Sequence, residues 1–580
     1  MVETKASTAK PCIEDWTQAP WPKLERHVYR LQKRIYRAQQ SGNLKVVHSL
    51  QRLLLKSQAA RMLATRRVTQ DNQGRKTAGI DGVRAVSPTI RLRFVDLLRT
   101  PERITAQPVR RVLIPKAGKP NARRALGIPV LLDRAHQALV KLALEPQWEA
   151  RFEPDSYGFR PGRSCQDAVE AIFKQTAFTP KYVLDADIEG CFDAISHSAL
   201  LAKLDTIPAI RRAVRAWLKA GVMTKGMMTP TTRGVPQGGV ISPLLMNVAL
   251  DGLQTAVETA YRKRMPGTKR KPGAAYGPRL IRYADDLVVL CRDLDGITVA
   301  REVVEQWLDT MGLRLSPTKT RTTHTLDAHE GHVGFDFLGF TFRQRRTGRC
   351  HAARFKGKVS TGLVVQVTPS KDAVKRHLRN LQATVRRMRT SSQEALIRAL
   401  NPQIRGWSQY YRHVASSATF NRCNQAVYAL LRRWSRRRHP KKGAKWIVRR
   451  YWHHYKGTRW SFQVSEMLRL QKHTDTKHTP FVKVQGSASP YDGNLLYWSK
   501  RLKARWVGTS RMARLLRRQQ GGCGWCGLTF RDGDHLEIHH VIRQADGGTS
   551  EDGNLQVLHV HCHDQLTARQ RASRKGYHRQ

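Results

Sequence analysis

The segment LIRYADDLVVLC, residues 280–291, sets the tightest limit on what this chain can fold into. Two adjacent acids, Asp285 and Asp286, sit between two apolar half-strands. A hairpin with that pattern carries two like charges towards a low-dielectric core, at a cost in desolvation and in repulsion. A divalent cation removes both costs. A plain polar turn has the same local pattern, so the pair alone leaves the choice open. A second segment, VLDADIEGCFDAI, has the same character: Asp187 closes an apolar strand and precedes a glycine turn. Magnesium sites for phosphoryl transfer use few protein carboxylates, because substrate phosphates supply further ligands. Two ions roughly 3.5–4 Å apart activate a 3′-hydroxyl and stabilise leaving pyrophosphate. Asp187 and Asp285 are the expected metal ligands, with Asp286 a third catalytic carboxylate.

At 580 residues the chain exceeds one compact core, and several domains are expected. Between 109 and 343, β-branched runs alternate with helical patterns, a mixed α/β reading. VRRVLIP, KYVLDADI, LIRYADDLVVLC and DFLGFTF are the clearest strands. Residues 21–67 read as basic helices: Leu24, Val28, Leu31 and Ile35 recur at helical spacing, as do Leu50, Leu53, Leu54 and Ala60. Residues 69–88 are loop-like, residues 371–440 are helical and basic, and 457–515 show no clear pattern.

The chain has 103 Lys and Arg against 44 Asp and Glu, a net charge of +59. Such an excess points to a polyanion, since each cation docked on a phosphate releases a counterion. Between Arg432 and Arg450 there are ten Lys or Arg and no acid. No run approaches the ~20 apolar residues of a membrane span, and MVETKASTAKPCIEDW has no apolar signal core. Six of the nine cysteines are scattered, which suits a reducing cytosol.

The palm-like strings carry a resemblance. YADD, with Asp187 followed five residues on by Phe192, resembles the palm of reverse transcriptases. RRVLIPKAGKPNARRALGIPVLLDRAHQ, FEPDSYGFRPGRS, RGVPQGGVISPLLMN, GLRLSPTKT and FDFLGF are similar, in order, to group II intron reverse transcriptases over about 109–343. The resemblance implies an α/β right-hand fingers and palm followed by an all-α thumb. It gives Asp187, Asp285 and Asp286 the magnesium ions. It places Phe192 beneath the sugar, excluding a 2′-hydroxyl, although an isolated Phe there would read as core. Lys116 and Arg124 would clamp the triphosphate, and Gln237 would pack against the nascent base pair. Lys319 reads as a proton donor to pyrophosphate or as a solvated lysine.

Further on, LNPQIRGWSQYYRHVAS resembles the maturase segment of the same family. Arg405, Trp407, Tyr410 and Arg412 are its candidate RNA-binding residues, because aromatics beside cations stack bases and track phosphates. Trp407 and one tyrosine are also expected in the thumb core, so the RNA-binding expectation rests on the surface as a whole. The basic stretch after it lies where the family has a DNA-binding region.

The tail holds Cys523-x-x-Cys526 and His559-x-x-Cys562, two knuckles suited to a tetrahedral zinc ion. His559 stands where the family usually has Cys. Between and after them, His539, His540, Asn554 and His563 resemble an HNH (ββα-metal) nuclease. The resemblance makes His540 the base and Asn554 its water-orienting partner. His539 and His563 would hold one Mg²⁺ or other divalent ion. Glu537 reads as an outer-shell group or an exposed acid. A zinc ribbon without catalysis is the competing reading of the tail.

The expected units are 1–108, N-terminal helices and the start of the fingers; 109–360, fingers and palm; 361–430, thumb and maturase; 431–515, a basic DNA-binding region; and 516–580, the nuclease. The expected partners are group II intron RNA, target DNA and dNTPs, with no membrane, in a bacterial cytosolic ribonucleoprotein. Monomer and dimer on the RNA stay open. A domesticated reverse transcriptase and a splicing factor without polymerase activity are the rival readings. The maturase-like segment and HNH tail oppose the first, and the intact YADD opposes the second.

Overall fold

The structure, a computed structural model, describes residues 15–84, 86–116, 119–264, 277–348, 354–355, 359–455, 458–465, 468–494, 497–498, 501, 510–530, 534, 536–560 and 562–567. Three helices open it, Trp21–Gln40, Leu44–Lys56 and Gln58–Arg66. Their apolar stripes, among them Val28, Leu31, Ile35, Leu50, Leu54 and Ala60, are buried. Leu53 instead faces solvent, because it lies about 100° round the helix from Leu54. These helices pack on helix Leu131–Glu149, which is buried along almost its whole length.

The fingers sheet runs in the order Lys119–Ile128, Val109–Lys116, Val222–Thr224, Met227–Thr229. The palm sheet runs Arg279–Tyr283, Asp286–Cys291, Tyr182–Asp187, Arg321–His324, all antiparallel. The two-residue period of a strand shows directly in its packing. Leu184, Leu287 and Val289 join the core with helices Leu253–Arg264 and Leu294–Thr310. Val183, Val288 and Leu290 join the other face with helix Cys165–Thr176 and Phe340. A sheet buried on both faces is rigid, and it fixes where its terminal acids point.

A smaller sheet, Phe335–Phe337, Phe340–Arg346 and Leu363–Pro369, leads into the thumb. The expected boundary at 360/361 falls inside the connection of its antiparallel pair. Thumb helices Lys371–Arg387, Gln393–Tyr411 and Ser417–Arg438 share one core, which continues through Ile447, Tyr451, Trp452, Phe462 and Leu470. The expected boundary at 430/431 is therefore corrected, because it lies within a helix. Leu431, Trp434, Ile447 and Tyr451 bury themselves against the thumb, and the basic stretch is the thumb's outer face.

Beyond the thumb the chain runs back over the palm. Val484 N–H donates to Asp167 at 2.7 Å, Tyr491 hydroxyl donates to Glu145 at 2.7 Å, and Arg501 pairs with Asp167 at 2.5 Å. The tail then forms helix Ser510–Arg518, an antiparallel pair Leu536–His540 and Leu555–His559, and a helical turn at 562–567. Among the described residues its core is Leu515, Leu516, Phe530, Leu555, Val557 and Leu558, with Cys523 and Cys562. Among the described residues no helix is long and apolar enough to cross a membrane.

Candidate active sites and nucleic-acid surface

The palm register sets Asp187 opposite Asp286, with Asp285 in the tight turn between Tyr283 and Asp286. Ala284 in that turn has φ +59°, left-handed backbone that a residue with a Cβ adopts at a cost. A buried network holds it there. Arg282, itself buried, donates to Ala284 O at 3.2 Å and to Asn247 Oδ1 at 3.0 Å. Asn247 in turn donates to Gly158 O at 2.8 Å. Gly158 lies so close that a Cβ would overlap the Ala284 backbone nitrogen. Arg282, Asn247 and Gly158 were not singled out from the sequence as site residues. The available signals were an Arg and an Asn inside apolar runs and a Gly in YGFRPG.

Burial, then repulsion from Asp187, raises the Asp285 carboxyl above its ordinary value. Asp286 is pushed up to about 7 by surrounding atoms and then by Asp285, Asp187 and Asp185. Asp286 is nonetheless exposed. Lys319 is hydrogen-bonded to Asp187, and Arg321 pairs with Asp185 at 2.9 Å. The Lys319 ammonium and the Arg321 guanidinium thus offset part of the site's negative charge. An all-oxygen donor set with surplus charge fits a hard divalent cation.

Beside it, Phe192 is buried and meets Phe159 edge-on at 6.4 Å. Val235 N–H donates to Phe192 O at 2.6 Å, tying the Pro-Gln-Gly-Gly turn to the palm. Gly127 N–H donates to Gln237 O at 2.7 Å, tying the same turn to the fingers. Gly238 needs its φ of +121°, and a Cβ there would lie 2.7 Å from Gly127 O. Arg124 Nε donates to Gln237 Oε1 at 2.6 Å. The structure therefore brings Phe192, Gln237 and Arg124 together. Lys116 ends its strand, and its side chain lies outside the described residues.

In the tail, ligand atoms of Cys523, Cys526, His559 and Cys562 lie within 4.8 Å of one another. His559 Nδ1 faces Cys526 Sγ at 3.5 Å, and its Nε2 faces Asp534 at 3.4 Å. A carboxylate behind a ligating imidazole is the arrangement that orients zinc-bound histidines, and Asp534 had not been picked out from the sequence. Hydrogen bonds from the Cys526 and Cys562 thiols drop the Cys523 thiol far below its ordinary value. Three thiols and one imidazole at this spacing fit Zn²⁺.

A second constellation lies on the neighbouring strand. His539 and His563 rings are 5.2 Å apart, and buried His539 Nε2 has no hydrogen-bond partner among the described residues. His563 Nδ1 pairs with Glu537 at 2.7 Å, leaving its other nitrogen to meet a cation. The orphaned nitrogen and the paired imidazole fit one divalent ion. His540 Nε2 contacts Ser550 Oγ at 3.2 Å. Asn554 accepts from Ile542 N–H at 2.7 Å and donates to Ile542 O at 2.8 Å and Thr549 O at 2.7 Å. Its amide thus braces the loop that follows His540.

On the thumb, Arg405 is exposed. Trp407 instead stacks on His377 at 4.5 Å, and Tyr410 hydroxyl donates to Leu338 O at 3.0 Å. Arg412 donates to Gln409 at 2.7 Å and bonds Thr479. Three of the four candidate residues therefore serve packing. Arg405 is one of several thumb cations turned outward, among them Lys375, Arg376, Arg379, Arg386 and Arg387. On the outer face of the basic stretch, Lys442 lies over half-exposed Trp446 at 5.6 Å. An exposed ring beside cations suits a nucleic-acid strand.

Four family models match the chain in order. They are the N-terminal domain of reverse transcriptase over 16–98, reverse transcriptase (RNA-dependent DNA polymerase) over 114–342, the group II intron maturase-specific domain over 374–452, and HNH endonuclease over 523–569. Protein YkfC of Escherichia coli (strain K12) is 32% identical over 333 residues, 51% of this chain and 84% of that protein. Group II intron-encoded protein LtrA of Lactococcus lactis is 26% identical over 389 residues, 56% of this chain and 63% of LtrA. Maturase-like protein 1 of Euglena gracilis is 24% identical over 400 residues, 68% of this chain and 76% of that protein.

Proposed function

The chain belongs to the group II intron-encoded reverse transcriptases, with polymerase, maturase and HNH endonuclease domains on one polypeptide, and from that premise we propose how its residues divide the work. Asp187, Asp285 and Asp286 hold Mg²⁺ in the palm. Bound there, divalent ions activate a primer 3′-hydroxyl and stabilise leaving pyrophosphate. Arg124 and Lys116 bind the triphosphate of a dNTP, and Gln237 packs against the nascent pair. Phe192 excludes a 2′-hydroxyl by contact. Lys319, already bonded to Asp187, is placed to protonate the leaving group.

In the tail, Cys523, Cys526, His559 and Cys562 hold structural Zn²⁺. His539 and His563 hold the ion that polarises a scissile DNA phosphate. His540 takes the proton from the attacking water, and Asn554 orients that water. The basic thumb and N-terminal helices bind the intron RNA that encodes the protein and favour its spliced fold. That RNA reverse-splices into one DNA strand, the tail nicks the other, and the palm extends the new 3′-end on the RNA.

The observation that carries this reading is the register setting Asp187 opposite Asp286 beneath a strained, supported turn. The test is extension of a DNA primer on an RNA template with dNTPs and Mg²⁺. Wild type is expected to extend and Asp285→Ala to lose about 10³-fold or more. Extension by the variant at the wild-type rate would remove the palm assignment.

A further inference from the structure

The cysteine cluster does not stand apart from the body of the protein. Arg66, the last residue of helix Gln58–Arg66, has a side chain only 1% exposed. Its Nη2 lies 4.0 Å from Cys562 Sγ, its Nε pairs with Asp71 at 3.2 Å, and its guanidinium sits 4.5 Å from the Trp21 ring centre. Around it the same face of the tail meets the N-terminal helices. Glu25 accepts the Thr529 N–H at 3.0 Å, and Arg75 pairs with Asp564 at 3.4 Å. Gly527 lies against Pro22, where a Cβ would come within 2.9 Å. Leu528 is buried in the core of the N-terminal helices.

Charge favours this contact. A thiolate is a strong partner for a guanidinium. Three thiolates and one neutral imidazole on a divalent zinc ion leave one net negative charge. The buried Arg66 cation, 4.0 Å from Cys562 Sγ, matches that charge. Arg66 thus serves Asp71 through Nε and reaches the cluster through Nη2.

We propose that Arg66 turns the metal-loaded cysteine cluster into a latch that docks the nuclease module on the N-terminal helices. This rests on the zinc reading of the cluster. Metal loading then sets where the nuclease sits relative to the polymerase, in addition to folding the tail. Arg66 is a positioning residue in this scheme and touches neither reacting centre.

The experiment uses the full-length zinc-loaded protein. Zinc release to a chromophoric chelator, limited proteolysis of the tail and primer extension are measured on wild type, Arg66→Gln and Glu25→Ala. Glu25→Ala loosens the same interface without touching a thiolate partner. Outer-shell partners typically change metal affinity 10–100-fold. Arg66→Gln is expected to release zinc about tenfold faster and to expose the tail to protease while still loaded, with primer extension retained. Glu25→Ala is expected to do the same more weakly. Wild-type release and protection in Arg66→Gln overturn the latch while leaving the zinc reading standing. Wild type that binds no zinc overturns both. If Arg66→Gln also loses primer extension, its helices have been damaged and Glu25→Ala decides: unchanged zinc release there overturns the latch.

Discussion

The palm and the tail both gather groups suited to a cation, and they do so with opposite resources. In the palm, three acids hang from a four-stranded sheet whose central strands are buried on both faces. That core stands on apolar packing, and the acids are an imposed cost that protons and Lys319 relieve. In the tail, a handful of apolar side chains surround Cys523 and Cys562. So small a core does not by itself supply much stability, and metal binding becomes part of folding. The difference teaches that removing metal should silence one centre and dismantle the other.

The sharpest way to break that comparison is zinc removal. Cys523→Ser, or chelation, should unfold the tail and abolish DNA nicking while Mg²⁺-dependent primer extension continues. Circular dichroism and proteolysis would report the unfolding. Structural zinc in finger peptides binds with roughly 10–16 kcal/mol, far more than this core offers. A tail that keeps its fold and cuts DNA without zinc would end the contrast.

Next in size is His540→Ala, expected to slow nicking by about 10²–10⁴-fold, the usual worth of a general base. Primer extension should be untouched and the zinc content unchanged. A nicking assay on duplex DNA with Mg²⁺ measures it. Parallel loss of extension in a folded variant would mean that the two centres are not separable.

Gly158→Ala tests the palm's rigidity instead of its ligands. The added methyl must displace the Ala284 backbone, and with it Asp285. A shift of about 1 Å in a reacting geometry costs on the order of 10²-fold. Extension should fall by about that much, with nicking and thumb packing preserved. An unchanged rate would show that the turn tolerates movement.

How much of this was legible follows from the same contrast. The palm acids were readable because alternation in LIRYADDLVVLC is local, and the two faces of the sheet sort its residues as the pattern requires. The tail ligands were readable from knuckle spacing. Asp534 behind His559 was not, because a lone acid in a loop has no pattern. Arg282 and Gly158 act on the turn through contacts set by tertiary structure. Residues 480–501 carry no period because their bonds go to Asp167 and Glu145, more than 300 positions away. Trp407, Tyr410 and Arg412 show the limit in the other direction. A helix with aromatics beside cations reads as a nucleic-acid face, yet the same aromatics are what a thumb needs for its core.

The smallest effect is the most direct measure of the palm's imposed cost. Burial and then the charges of Asp285, Asp187 and Asp185 raise Asp286 from 3.8 to about 7. The folded protein therefore keeps a proton that the unfolded chain releases above about pH 4. That linkage favours the fold fully below the unfolded value and is lost as pH rises through 7. At pH 8 the ionised carboxylate faces Asp187 and Asp285, with the Lys319 ammonium beside them. Asp286→Asn removes the repulsion, so without Mg²⁺ it should melt above wild type at pH 8, with the gap closing towards pH 4. Because the group reaches solvent, screening limits the gain to about 1 kcal/mol or less. Thermal melts across pH in Mg²⁺-free buffer, without chelator so that zinc stays in place, measure it. Adding Mg²⁺ should reverse the order, since wild type then gains a ligand that Asn supplies poorly. A variant that melts below wild type at pH 8 without Mg²⁺ would mean that Lys319 already compensates the acids, and that the palm carries no unmet charge for a metal to neutralise.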